Sequence, residues 1–156
     1  MKNLAGFASL RENFKVLFAN KTTQSKVKEN IMAVIEKKIK LKGSKGEVQL
    51  IALFDSGATY SCIQEELAKK LEIFTPLPGM RKFETAKNEV ELKAEHAVRL
   101  DFYLNDDRFS DEFMVIAGLS DKVIIGAKTL QSWRMKLDFE HDEILYDPRV
   151  TRLRIV

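Results

Sequence analysis

Cys62 is the only cysteine in this 156-residue chain, so no intramolecular disulfide can form, and a reducing, cytoplasmic compartment is the simplest reading. The two histidines, His96 and His141, lie far apart in sequence. Neither a Cys-x-x-Cys nor a His-Glu-x-x-His spacing occurs, which leaves no metal-site pattern and implies no cofactor. Cys62 also has no neighbouring histidine in sequence to draw off its proton, and it reads as a small core residue. No apolar run approaches the roughly 18 to 20 residues that a membrane-spanning helix needs. The stretch "LAGFASL" runs straight into Arg11 and Glu12 without a convincing cleavage site, so it makes a poor signal peptide. Repeats and low-complexity tracts are lacking as well.

A hydrophobic content of 45% suits one domain with a genuine core. The formal charge of +3 is unevenly spread: residues 1–46 hold 11 Lys and Arg against 3 Asp and Glu, and the remainder holds 15 against 20. A basic leader on a mildly acidic body could touch nucleic acid, but a solvated Lys-rich arm is the commoner case and no nucleic-acid function is built on it.

Along the chain, Ser9 and Glu12 have capping-box spacing ahead of Leu10, Phe14, Leu17 and Phe18, which predicts a short amphipathic helix. The polar stretch from Asn20 to Asn30 reads as a linker, so the expected division is a leader over 1–30 and a domain over 31–156. "IMAVIEKKIKL" and "EVQLIALF" flank Gly43 and Gly46 as a hairpin. Ser61 and Gln64 suggest a second capping box opening a helix over "SCIQEELAKKLEI", which ends before the "TPLPG" break. Long antiparallel strands with a reversal near Lys87 and Asn88 follow, with Ala94, His96, Val98, Leu100, Phe102 and Leu104 alternating. "FMVIAGL" and "DKVII" are further strands, "GAKTLQSW" a short helix, and "MKLDF", "EHDEILYD" and "RLRIV" return to strand. The sum is a small, mostly antiparallel all-β domain with one or two short helices.

The chemistry centres on "LFDSGAT", where a buried apolar run ends in an ionisable residue, Asp55. A phosphoryl-accepting aspartate wants a second acid two residues on, and that place is Gly57. A strand-ending Asx turn is the plain structural alternative. Paired carboxylates that activate water fit the residue types better, because such a pair shares one proton and so supplies a base and an acid together. Gly57 lets backbone N–H groups fold around the carboxylate, Ser56 offers a hydroxyl to lock the loop, and Ala58 is small enough for a peptide backbone to approach.

These residues resemble the catalytic loop of retropepsin-like aspartic proteases. About 70 residues downstream, "VIIGAKTL" is similar to that family's second signature, with Ile124 and Ile125 before Gly126 and a short helix after it. Between the two, "FETAKNEVEL" stands where the family has its flap, here Thr85, Ala86, Lys87, Asn88 and Glu89, without the glycines of viral flaps. The resemblance covers about residues 31–146 and implies a closed acid-protease barrel, with the helical leader as an appendage. It implies an aspartic endopeptidase acting on peptide or protein substrates, with no cofactor, no metal and no membrane. Because Asp-Ser-Gly occurs once, the second aspartate must come from a second copy, so a homodimer is expected. The rival reading keeps the fold without the reaction, as a dimerisation or peptide-binding module. The leader could cover the cleft, brace the dimer or pack on the back of the barrel.

Overall fold

The computed structural model describes residues 34–85 and 90–155. The leader over 1–30, its amphipathic helix and the flap tip at Ala86, Lys87, Asn88 and Glu89 lie outside the described residues.

Among the described residues, nine strands and two short helices follow one another as β1 (Val34–Lys42), β2 (Glu47–Asp55), β3 (Cys62–Gln64), α1 (Glu65–Leu71), β4 (Thr75–Glu84), β5 (Glu91–Leu104), β6 (Asp107–Ile116), β7 (Val123–Ile125), α2 (Ala127–Ser132), β8 (Lys136–Asp138) and β9 (Glu143–Leu145). A single 3₁₀ turn, Pro148–Thr151, comes after them. The main sheet runs β1-β2-β7-β3-β6-β5-β4, and β5 pairs back onto β1 through Leu41 and Phe102. Six strands thereby close into a barrel from which β4 projects as the outer half of a ribbon with β5. Most pairings are antiparallel, but β2 lies parallel to β7 and β3 parallel to β6.

Closure follows from period-two patterning, since alternate side chains of a strand point to opposite faces. Ile35, Ile39 and Leu41 of β1, Leu50, Ala52 and Phe54 of β2, and Val98, Leu100, Phe102 and Leu104 of β5 are buried in one cluster. Phe102 stacks on Phe109 at 5.1 Å, and Phe109 meets Trp133 and Tyr146 edge-on at 5.3 and 5.1 Å. The polar ends of these rings are satisfied as their burial demands: Trp133 Nε1 donates to Ser110 O, and the Tyr146 hydroxyl donates to Asp107 Oδ2 at 2.7 Å with Leu104 O beside it at 3.0 Å. Burial and the adjacent Asp107 push the Tyr146 hydroxyl up to about 12. The tight β5–β6 reversal places Asn105 and Asp106 at positive φ, as a two-residue hairpin turn requires.

Three sequence expectations change. The helix expected from Ser61 begins only at Glu65, because Cys62, Ile63 and Gln64 are taken into the sheet between β6 and β7. Ser61 makes no cap, and pairing on both sides of a buried Ile63 outweighs local helix propensity. "TPLPG" opens β4 and does not interrupt the fold, although the register slips between Pro76 and Arg81, where the prolines lack N–H groups. The expected last strand, "RLRIV", is absent over 152–155. Pro148 and the Asp147 carboxylate, which accepts from Arg149 N, wind the chain into the 3₁₀ turn, leaving Leu153 and Ile155 exposed.

The β1–β2 turn docks on the last turn of α1, where Lys45 N donates to the otherwise orphaned Leu71 carbonyl at 3.0 Å. A Cβ at Gly43 would collide with that same carbonyl, whereas one at Gly46 would meet only Lys70 O, at 3.7 Å. Gly43→Ala should therefore destabilise the domain by about 1–3 kcal/mol, and Gly46→Ala should change stability by less than about 0.5 kcal/mol. Urea midpoints of the two variants are the check, and equal midpoints would refute the packing.

Candidate active site

Asp55 is the last residue of β2, directly after the fully buried Phe54, and is itself half-buried. Strand β2 is held on both sides, by β1 and by the parallel β7 through Leu53–Ile124 and Phe54–Ile125, so the strand end has little freedom. Gly57 N donates to Asp55 Oδ1 at 2.8 Å, and Ala58 N reaches Asp55 O at 3.3 Å. The carboxylate is thus oriented by its own loop. The Asx turn weighed as an alternative is present, and it is the device that points this carboxylate. A Cβ at Gly57 would sit 3.1 Å from Asp55 Oδ1, tight enough to disturb that bond.

The loop rests on a backbone crossing. A Cβ on Gly126 would lie 2.5 Å from both Tyr60 C and Tyr60 O and 2.9 Å from Ala58 O, so only glycine fits. The reason is proximity, since Gly126 has an ordinary φ of −94°. Immediately beyond it, Ala127 N donates to Ala58 O at 2.6 Å and Lys128 N to Thr59 O at 3.2 Å. The first N–H groups of α2, which have no partner within the helix, are satisfied by the carbonyls of the Asp55 loop. Ile124 and Ile125 thus pair with Leu53 and Phe54, just before Asp55, and Gly126 lies against Ala58 and Tyr60.

A buried polar chain below this crossing was not foreseen. Gly126 N donates to Ser61 Oγ at 3.0 Å, Ser61 Oγ lies 2.5 Å from Thr129 Oγ1, and Thr129 Oγ1 donates to Asp111 Oδ2. Each hydroxyl has one proton. Ser61 Oγ accepts from Gly126 N, and its own proton lies toward the Thr129 and Asp111 oxygens. The members are separated by up to 68 positions, so no sequence spacing betrays them. Burial pushes the Asp111 carboxyl up, against the N–H of Glu112, the Ser61 hydroxyl and the Arg99 guanidinium, which pull it down; the Glu112 carboxylate adds a smaller upward push.

Tyr60, another residue without a sequence signal, ends the loop. Its ring meets Phe83 of β4 edge-on at 6.1 Å and carries Arg81 and Lys128 at 5.3 and 4.3 Å from its centroid. Strands β4 and β5 form an antiparallel ribbon paired to Glu84–Glu91, and Thr85 Oγ1 donates to Val90 O at 3.2 Å. Cys62 is buried and its thiol is pushed up to about 12 by desolvation, so it carries no thiolate chemistry. His96 packs against Phe74, and His141 binds Asp138 at 2.8 Å on an exposed turn.

Two outcomes follow from the buried chain. Ser61→Ala strands the Gly126 N–H, and should cost about 1–3 kcal/mol in urea unfolding. For Asp111 the carboxyl pKa is raised in the folded state, so its contribution is fully present below the unfolded pKa and is lost as pH rises through the folded one. Wild-type stability should consequently fall relative to Asp111→Asn as pH rises above the ordinary aspartate pKa of about 4. Parallel pH profiles of the two proteins would contradict the burial argument.

No protein-family model matches the sequence, and no curated protein does. Solved structures do. The retroviral protease-like domain of Ddi1 from Leishmania major superposes with a TM-score of 0.52 at 18% identity, over 74% of this chain and 88% of that domain. The EIAV protease in complex with the inhibitor HBY-793 gives a TM-score of 0.47 at 15% identity, over 70% of this chain and 97% of its own. At 18% identity the likeness to the Ddi1 domain is one of fold, and the chain has the retropepsin-like barrel fold.

Proposed function

We propose that the domain is an aspartic endopeptidase whose site is completed by a second copy of the chain. The observation that carries this reading is the Asp55 carboxylate, fixed by Gly57 N at the end of a strand clamped on both edges, on a loop that rests on the Gly126 crossing. A scaffold built only for packing has no use for an ionisable group so positioned. One chain supplies one Asp-Ser-Gly loop, and an isologous pair brings Asp55 and Asp55 of the second copy together on a two-fold axis.

In that pair like charges at contact distance cannot both remain ionised, so the two carboxyl groups hold one proton between them. The ionised one takes a proton from a trapped water as its oxygen attacks the peptide carbonyl carbon, and the other gives its proton to the carbonyl oxygen. Collapse of the tetrahedral diol breaks the C–N bond and returns a proton to the departing amine. Ser56 braces the paired loops, Gly57 and Ala58 present backbone to an extended peptide, and the ribbon through Thr85, Ala86, Lys87, Asn88 and Glu89 folds over it. The peptide then lies as an added strand with its side chains alternating between pockets. Ile124, Ile125 and Gly126 keep each loop seated beneath the reaction.

Asp55→Asn should lower peptide hydrolysis by on the order of 10²–10⁴-fold or more, with circular dichroism and urea midpoint close to wild type, because Asn still accepts from Gly57 N. Specific activity should rise with protein concentration in step with dimer formation followed by analytical ultracentrifugation. Wild-type turnover in the Asn variant, or full activity in a monomer, would refute the mechanism. Peptide binding by a dimer that hydrolyses nothing would favour the rival reading of an inactive retropepsin-like dimerisation or peptide-binding module.

A further inference from the structure

The geometry points to a cationic subsite on Tyr60 that selects peptides with an acidic side chain near the cleaved bond. The inference deepens the peptidase reading and rests on it for the location of the substrate. Three separate elements converge on this ring: Tyr60 belongs to the loop that begins at Asp55, Arg81 comes from β4 of the ribbon, and Lys128 comes from the first turn of α2. Phe83 props the ring from the ribbon side, leaving Tyr60 only partly exposed. A peptide lying between the loop and the ribbon must pass this point.

Residues 47–156 carry a net excess of acids, 20 Asp and Glu against 15 Lys and Arg. On the same ribbon, Lys82 pairs with Glu91 at 3.1 Å and Lys93 approaches the same carboxylate at 4.0 Å. Elsewhere Lys37, Lys40, Lys69 and Arg149 also have carboxylate partners. Arg81 and Lys128 have none among the described residues; each lies over the ring of Tyr60, where the π quadrupole steadies a cation without neutralising it. A substrate carboxylate brought to this ring meets an un-neutralised cation and gains a charge-assisted contact. Alternate side chains of an extended peptide point to the same side, so one position of the substrate faces the ring and the positions beside it do not.

The test uses end-blocked peptides, so that no terminal carboxylate competes, with Glu, Gln or Lys scanned through each position of an otherwise fixed sequence. Binding is read by fluorescence anisotropy on wild type and on Asp55→Asn, and cleavage is read on wild type. At one position Glu should bind about five- to tenfold tighter than Gln at low salt, with the advantage shrinking as salt is raised. The Glu-to-Gln ratio should fall towards one in Arg81→Gln and in Lys128→Gln, and Lys should become the preferred residue in the double charge reversal Arg81→Glu with Lys128→Glu. Lys82→Gln, which removes the same charge from the neighbouring residue, should keep the ratio. A wild-type ratio of one, no binding of any peptide, or a loss in Lys82→Gln as large as in Lys128→Gln would overturn the subsite. Cleavage without acid preference removes only the subsite, whereas acid-selective binding without cleavage removes only the peptidase reading.

Discussion

The contact on which the site rests is that of two backbones, at Gly126 against the carbonyls of Ala58 and Tyr60. No side chain could be interposed there, and the contact is possible only because parallel pairing of β7 with β2 brings the second strand up directly beside the Asp55 strand. Once the approach is made, Ala127 N and Lys128 N tie the loop carbonyls, and Ser61 is drawn under the crossing to accept from Gly126 N. The orientation of Asp55, the start of α2 and the buried hydroxyl chain to Asp111 all depend on that one contact. Loss of the glycine would therefore damage the site and the fold together.

The remainder of the barrel holds this crossing still. Its strand pairs close on themselves through β1 and β5, so the six barrel strands share a complete hydrogen-bonded circuit around the Phe102, Phe109 and Phe113 core. Tyr146 and Trp133 fasten the chain beyond α2 to the β5–β6 hairpin through a hydroxyl and an indole N–H, each satisfied on burial. A second, smaller cluster around Ala94, Ala97 and Met114 lies beneath the β4–β5 ribbon, with Tyr60 and Phe83 packed against it. The ribbon thus leans on the loop that carries Asp55, a mechanical link between what would cover a peptide and what would act on it. Among the described residues no helix is long and apolar enough to cross a membrane.

Much of this was legible because it is local. Alternation in "EVQLIALF" and "AVRLDFYL" marks barrel strands, since a strand with one face in a core must alternate. The abrupt end of an apolar run in Asp-Ser-Gly, and the glycine after Val123, Ile124 and Ile125, identify the loop and its crossing, because each needs a residue type that tolerates few substitutes. Less accessible was the fate of Ser61 and Gln64, whose capping-box spacing is sound locally yet yields to a sheet that accepts Cys62 and Ile63 on both edges. "RLRIV" has strand composition, but a strand needs a neighbouring edge, and among the described residues none pairs with 152–155.

By itself the sequence determined the all-β class, the position of the aspartate and the glycine that must pass beneath it, because these follow from periodicity and from steric demands on single residues. Tertiary structure alone decided which distant groups meet: Asp111 with Thr129 and Ser61, and Arg81 and Lys128 on the ring of Tyr60. Such pairings depend on strand order and on the parallel neighbours β2–β7 and β3–β6. Strand order is set by how the whole core closes, a property distributed over every buried side chain and carried by no short stretch of the chain.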